Sequence, residues 1–104
     1  MNLVELKNIL KATGFPVAYY HFDTPPKPPY ICYLVDSSSN FHADNEVFHK
    51  ISNVNIELYT KKKDLDSERI IESLLDENDI PYDSSEVYID SEKLFQKFYE
   101  VRLI

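Results

Sequence analysis

The stretch ISNVNIELYTKKKDLDSERIIESLLDENDIPY, residues 51–82, changes its hydrophobic period twice and so limits what the chain can become. Val54, Ile56 and Leu58 alternate with Asn55, Glu57 and Tyr59, which predicts a strand over 51–60 with one face on a core. Lys61, Lys62 and Lys63 make the turn. Asp64 suits the N-cap of a helix, and Asp66 and Glu68 favour the positive end of its dipole. Ile70, Ile71, Leu74 and Leu75 form a stripe of the kind that packs on a sheet. Asn78 is placed to terminate the helix, and Pro81 blocks its continuation. A second strand, Tyr82–Ile89, follows, with Val87 and Ile89 on one face. A strand, a capped helix and a returning strand in so short a span point to an α+β domain.

The flanks extend this pattern. Residues 2–13 predict a helix: Asn2 and Glu5 have capping-box spacing, and Leu3, Leu6, Ile9 and Leu10 share a stripe. Gly14, the only glycine, falls where a left-handed residue ends a helix at little cost, and Pro16 prevents continuation. Residues 17–22, VAYYHF, read as a strand. Residues 23–29, DTPPKPP, hold four prolines, which no sheet interior accepts. They predict a stiff extended segment. Residues 30–35, YICYLV, are continuously apolar and predict a central strand covered on both faces. Residues 36–45, DSSSNFHADN, read as a polar loop, and 46–49 as a short edge strand. After the polar turn 90–93, Phe95, Tyr99, Val101 and Leu103 alternate with Gln96, Glu100 and Arg102 as a closing strand. The expected order is α-β-β-(β)-β-α-β-β: a mainly antiparallel sheet of four to five strands with both helices on one face, in one domain spanning 1–104.

Composition removes several classes of function. A chain of 104 residues buries a core without metal or disulfide staples. Its net charge of −7 is wrong for neutralising phosphates, so no sequence-specific nucleic-acid binding is expected. Cys32, the one cysteine, lies inside the apolar run and reads as a small core hydrophobe, which suits a reducing compartment. No apolar run reaches the roughly 20 residues of a membrane span, and the first residues lack the features of a signal peptide. A cytoplasmic, membrane-free protein is the expectation.

Catalytic constellations are equally missing. His42, Asp44 and His49 cluster in HADNEVFH, but their spacing fits no zinc motif, and they read as a solvated loop. One glycine allows no phosphate loop, and Ser37, Ser38 and Ser39 lack a nucleophile elbow. The paired carboxylates are explained by caps, helix faces and turns. No enzyme activity, cofactor or metal is expected. The surplus is aromatic: Tyr19, Tyr33, Tyr59, Tyr88 and Phe98 sit at the opposite parity from the expected core positions. They suit either second-face packing under a helix or a protein interface.

Three segments carry a resemblance. FPVAYYHFDTPPKPPYICYLVDSSSNFHADNEVF joins a P-V-A-Y start, a proline break, P-Y-I-x-Y and an N-F-x-A-D-N loop. VNIELYTKKKDLDSERIIESLLDENDIPY carries I-E-L-Y-T-K-x-K-D, L-L-D-E and I-P-Y, and KLFQKFYEVRLI ends in a Y-E strand. In these the chain resembles the small head–tail joining proteins, of tail-terminator (tail-completion, minor capsid) type, of long-tailed phages and prophages of Gram-positive bacteria. The resemblance implies a virion structural protein of α+β fold. It would cap the head-proximal end of the tail tube as a six-fold ring, touching copies of itself, the tail-tube protein and a head-side connector. Such a subunit is made in the bacterial cytoplasm and ends in the virion. Loop position and the family pattern together single out Pro26, Pro28, Phe41, Asp44 and Asn45 as interface residues, and Tyr59 joins them from the aromatic surplus. A head-side connector or stopper, and an acidic inhibitor imitating DNA, are the alternatives.

Overall fold

The structure, a computed structural model, describes the backbone of residues 1–43 and 46–103 and the side chains of residues 1–36 and 52–103. The order is α1 (Leu3–Lys11), β1 (Val17–Tyr19), β2 (Tyr30–Ala43), β3 (Glu46–Thr60), α2 (Leu65–Glu77), β4 (Tyr82–Ile89) and β5 (Leu94–Leu103). The strands form one sheet in the order β1-β2-β3-β5-β4. β1 runs parallel to β2, and every other neighbour pair is antiparallel. The architecture is α+β.

Local chemistry explains the helices. Asn2 accepts the Glu5 backbone N–H at 2.9 Å, and Gly14 takes a left-handed φ of 84° just after α1. Asp64 caps α2 with both oxygens, accepting the Ser67 backbone N–H at 3.0 Å and the Ser67 hydroxyl at 2.7 Å. Those bonds favour the ionised carboxyl and hold it below the usual aspartate range. Asn78 ends α2, its side-chain amide donating to the Leu74 carbonyl, but the left-handed residue is Asp79.

Both helices feed one core. Leu6 and Leu10 of α1, and Ile71 and Leu75 of α2, cluster with Ile31, Tyr33, Val54, Ile56, Leu58, Tyr99, Val101 and Leu103. Register places Tyr33, Ile56 and Tyr99 on one rung, with Val54 and Val101 on another, so these strand residues share one side of the sheet.

Four expectations need correction. Residues 36–43 are not a loop but the continuation of β2, and 46–49 are the start of β3 rather than a separate strand. Ser, Asn and Asp disfavour strands in isolation, and here the ladder to the neighbouring strand overrides that preference. A register shift at Asp36, between Val35 and Ser37, marks a bulge where the apolar part of β2 gives way to the polar part. The central strand is β3, although Tyr30, Ile31, Cys32 and Tyr33 are all buried as the apolar run implied. Finally, β1 stops at Tyr19 instead of residue 22. Tyr20 adopts a φ of 71° and turns the chain out while its N–H still reaches the Tyr33 carbonyl at 2.8 Å. The Tyr19 hydroxyl then accepts the Val35 backbone N–H at 3.1 Å, capping the edge of β2 where β1 leaves it.

A candidate interaction surface on the uncovered side of the sheet

Register assigns the other side of the sheet residue by residue. Tyr30, Tyr59, Gln96 and Val87 form one rung across β2, β3, β5 and β4. Cys32, Glu57, Phe98 and Ser85 form the next, and Leu34, Asn55, Glu100 and Asp83 the third. None of these residues belongs to the core cluster that takes in the two helices. Phe22, from the proline-rich segment, meets the Tyr30 ring edge-on at 5.5 Å, and Tyr30 stacks on Tyr59 at 4.9 Å with an 18° tilt. Cys32 and Tyr30 are buried, so the uncovered part of this side lies over β3, β5 and β4. Glu57, Tyr59, Gln96, Phe98 and Asn55 are half-buried, and Glu100 and Asp83 are exposed.

A polar chain runs through these aromatics. Gln96 donates to the Tyr59 hydroxyl at 2.9 Å, Tyr59 donates to Glu57 at 3.0 Å, and the Asn55 amide reaches the other Glu57 oxygen at 3.4 Å. The Asn55 side-chain oxygen is buried and accepts nothing among the described residues. An unsatisfied buried acceptor costs about 1–3 kcal/mol. Burial raises the Glu57 carboxyl above the usual glutamate range, the Tyr59 bond opposing this and the Asp36 charge adding to it. Burial, followed by the Glu57 charge, lifts the Tyr59 phenol well above the tyrosine range. Burial also pushes the Cys32 thiol up to about 11, so it stays protonated at neutral pH and is a poor nucleophile.

These shifts have a measurable consequence. Burial favours the neutral acid, so folded Glu57 holds its proton more tightly than the unfolded chain does. Its contribution is favourable at low pH and is lost as pH rises through the raised pKa. Glu57→Gln is therefore expected to raise the melting temperature at pH 7. That gain should shrink to nothing below about pH 4, where the carboxyl is neutral in both states. A gain that stays the same at both pH values would contradict the burial cause.

Beside the third rung lies an open recess of about 950 Å³, lined among others by Asp36, Asn55, Asp79, Asp83, Glu100 and Arg102. Four carboxylates thus share the recess with the Arg102 guanidinium and with Met1. Neither Asp36, Asp83 nor Glu100 makes an ion pair among the described residues.

The sequence-predicted interface residues fare unequally. Tyr59 sits at the centre of the polar and aromatic chain. Pro26 and Pro28 are half-buried rather than projecting, in a segment whose Phe22 and Tyr30 rings meet. Phe41 lies in β2, but its side chain is outside the described residues, as are Asp44 and Asn45 altogether. The side chains of His42 and His49 are also outside them. Among the described residues no group of three or more His, Cys, Asp or Glu is placed to hold a metal ion.

Parity corrects the aromatic list. Tyr33 is 5% exposed and part of the core, and Tyr19 and Tyr88 fall on the core side by register. Only Tyr59 and Phe98 of that group belong to the uncovered side. Asn55, Glu57 and Gln96 were missed as a linked set because their alternation with apolar residues reads simply as solvent exposure. Among the described residues no helix is long and apolar enough to cross a membrane. No family model and no curated protein matches the sequence.

Proposed function

We propose that this chain is a virion structural protein of the tail-terminator kind, capping the head-proximal end of a phage tail tube and joining it to the head as a ring of identical subunits. The resemblance described above supplies the class. The observation that favours an assembling subunit is the uncovered side of the sheet. It combines half-buried Tyr59 and Phe98 with the polar chain of Gln96, Glu57 and Asn55, and aromatic residues are enriched at protein interfaces. A cyclic ring needs two different complementary patches on each subunit, which a surface with a distinct polar end provides. The acidic balance also suits a ring through which DNA passes without being held.

Deleting the gene from the phage that carries it, and imaging the particles by electron microscopy, tests this reading. Filled heads unjoined to overlong tails are the expected result. Leaking or empty heads beside tails of normal length would replace it with a head-side connector or stopper. Intact infectious virions would overturn both, leaving the acidic inhibitor as the surviving alternative.

A further inference from the structure

We propose that β4 pairs antiparallel with β4 of a second copy of this chain, about a two-fold axis at Ser85, so that the two sheets run on as one. The inference does not rest on the phage reading. It uses the edge of the sheet and leaves the uncovered side free for other contacts.

An edge strand presents a row of unpaired backbone N–H and C=O groups, and proteins blunt such edges with short strands, bulges, proline, lysine or a covering segment. The two ends of this sheet are finished differently. β1 is three residues long, Tyr20 turns the chain away at a φ of 71°, the Tyr19 hydroxyl takes up the Val35 N–H, and a bulge follows in β2. β4 is eight residues long and ends the strand order. It pairs with β5 without a register shift and contains no lysine, arginine or proline. Among the described residues no loop or helix backbone bonds to residues 82–88. Residues 83–88 are all exposed, including two large apolar side chains, Val87 at 44% and Tyr88 at 46%.

The sequence of β4 selects a second β4 as the occupant. Antiparallel pairing about a two-fold axis normal to the sheet sets one residue opposite itself. The longest overlaps are centred on Ser85 or on Glu86. A Glu86 centre would oppose two like charges, which destabilises a sheet. A Ser85 centre opposes none. It sets Glu86 against Ser84, Asp83 against Val87, and Tyr82 against Tyr88, each twice by symmetry. Aromatic cross-strand pairs are among the favourable ones. Tyr82 is half-buried and already fixed edge-on to Tyr99 at 5.4 Å, so it offers a firm platform to the exposed Tyr88 of the second copy. Glu86 is held by Lys63 of its own chain at 2.9 Å, so its charge is balanced before the strands meet. The strand therefore matches itself in length, charge and ring placement.

Cysteine cross-linking and sedimentation velocity test the pairing on the whole chain. Ser85→Cys should form a disulfide-linked dimer under mild oxidation, because directly opposed residues have Cβ atoms about 4.5–5.5 Å apart. The wild-type chain, whose one cysteine is buried, is the blank. Val87→Cys should not cross-link, since the two copies of residue 87 are offset by four residues, about 13 Å at roughly 3.3 Å per residue. The wild-type chain should form dimers within a range extending to about 1 mM protein. Ser85→Lys opposes two ammonium groups and should weaken that dimer at least ten-fold. Ser85 and Val87 are exposed, and circular dichroism checks the fold of each variant. If Ser85→Lys does not fold, the cross-link decides. A wild-type chain that stays monomeric throughout would overturn the pairing. So would a dimer that folded Ser85→Lys leaves unweakened, or one that fails to cross-link at residue 85 or cross-links equally at 87. The gene-deletion phenotype decides the phage reading separately.

Discussion

Ile56→Ala is expected to lower the unfolding free energy by about 3–4 kcal/mol, toward the upper part of the range for such truncations. Ile56 is fully buried in the central strand, with Tyr33 and Tyr99 as its cross-strand partners. Neither ring is free to collapse into the space left behind. Tyr33 is held edge-on to Tyr19 at 5.2 Å, and the Tyr99 hydroxyl donates to Glu72 at 2.8 Å while its ring meets Tyr82 at 5.4 Å. A cavity that stays open costs more than one that closes. For a domain of this size the loss corresponds to a fall in melting temperature of about 15 °C or more. Urea denaturation should show a lower midpoint at unchanged slope. A loss under about 1 kcal/mol would mean that the two sides of the sheet are not divided as register divides them. Glu57→Gln, one residue away on the other side, should act in the opposite direction at neutral pH.

That opposition was half legible in the sequence. The alternation of Val54, Ile56 and Leu58 with Asn55, Glu57 and Tyr59 assigned the two sides of β3 correctly, because a half-buried strand writes its pleat into its polarity. Helix boundaries were also legible, since Asn2, Gly14, Asp64 and Asn78 act through bonds to residues within one turn. The failures were non-local. The polar half of β2 is a strand only because β3 pairs with it, and a propensity argument has no access to that partner. Tyr33 went to the wrong side because YICYLV offers no polar residue to mark parity. The acidic recess was invisible for the same reason. Asp36, Asp83 and Glu100 are far apart in sequence and meet only through the strand order β2-β3-β5-β4. Glu68 looked like a dipole-favouring residue in the first turn of a helix, yet it is almost fully buried.

That burial sets up the second large effect: Glu68→Ala is expected to cost about 2–3 kcal/mol. The Glu68 carboxylate, 8% exposed, lies 2.8 Å from the Lys63 ammonium and 3.7 Å from that of Lys97, whose side chain is 18% exposed. Lys97 faces Glu86 across the β4–β5 ladder, and Glu86 lies 2.9 Å from Lys63. Two lysines and two glutamates thus tie the start of α2 to the far edge of the sheet. Removing one partner of a buried pair costs about 3–5 kcal/mol, because the other charge stays desolvated. The lower figure applies here, since Lys63 retains Glu86 and its side chain is 43% exposed. The bonds to Glu68 and Glu86 also raise the Lys63 pKa, so its share of stability is present at neutral pH and lost only as pH climbs past the lysine range. By contrast, the Asp66–Arg69 pair is 92% and 74% exposed and should contribute little when either partner is changed. The decisive comparison is a double-mutant cycle. Glu68→Leu combined with Lys97→Met removes the desolvated charge together with its partner, and should recover stability to within about 1 kcal/mol of the wild type. Simple addition of the two single losses would show that Glu68 and Lys97 act independently rather than as a desolvated pair, and single losses near zero would make the ion cluster a solvated bystander.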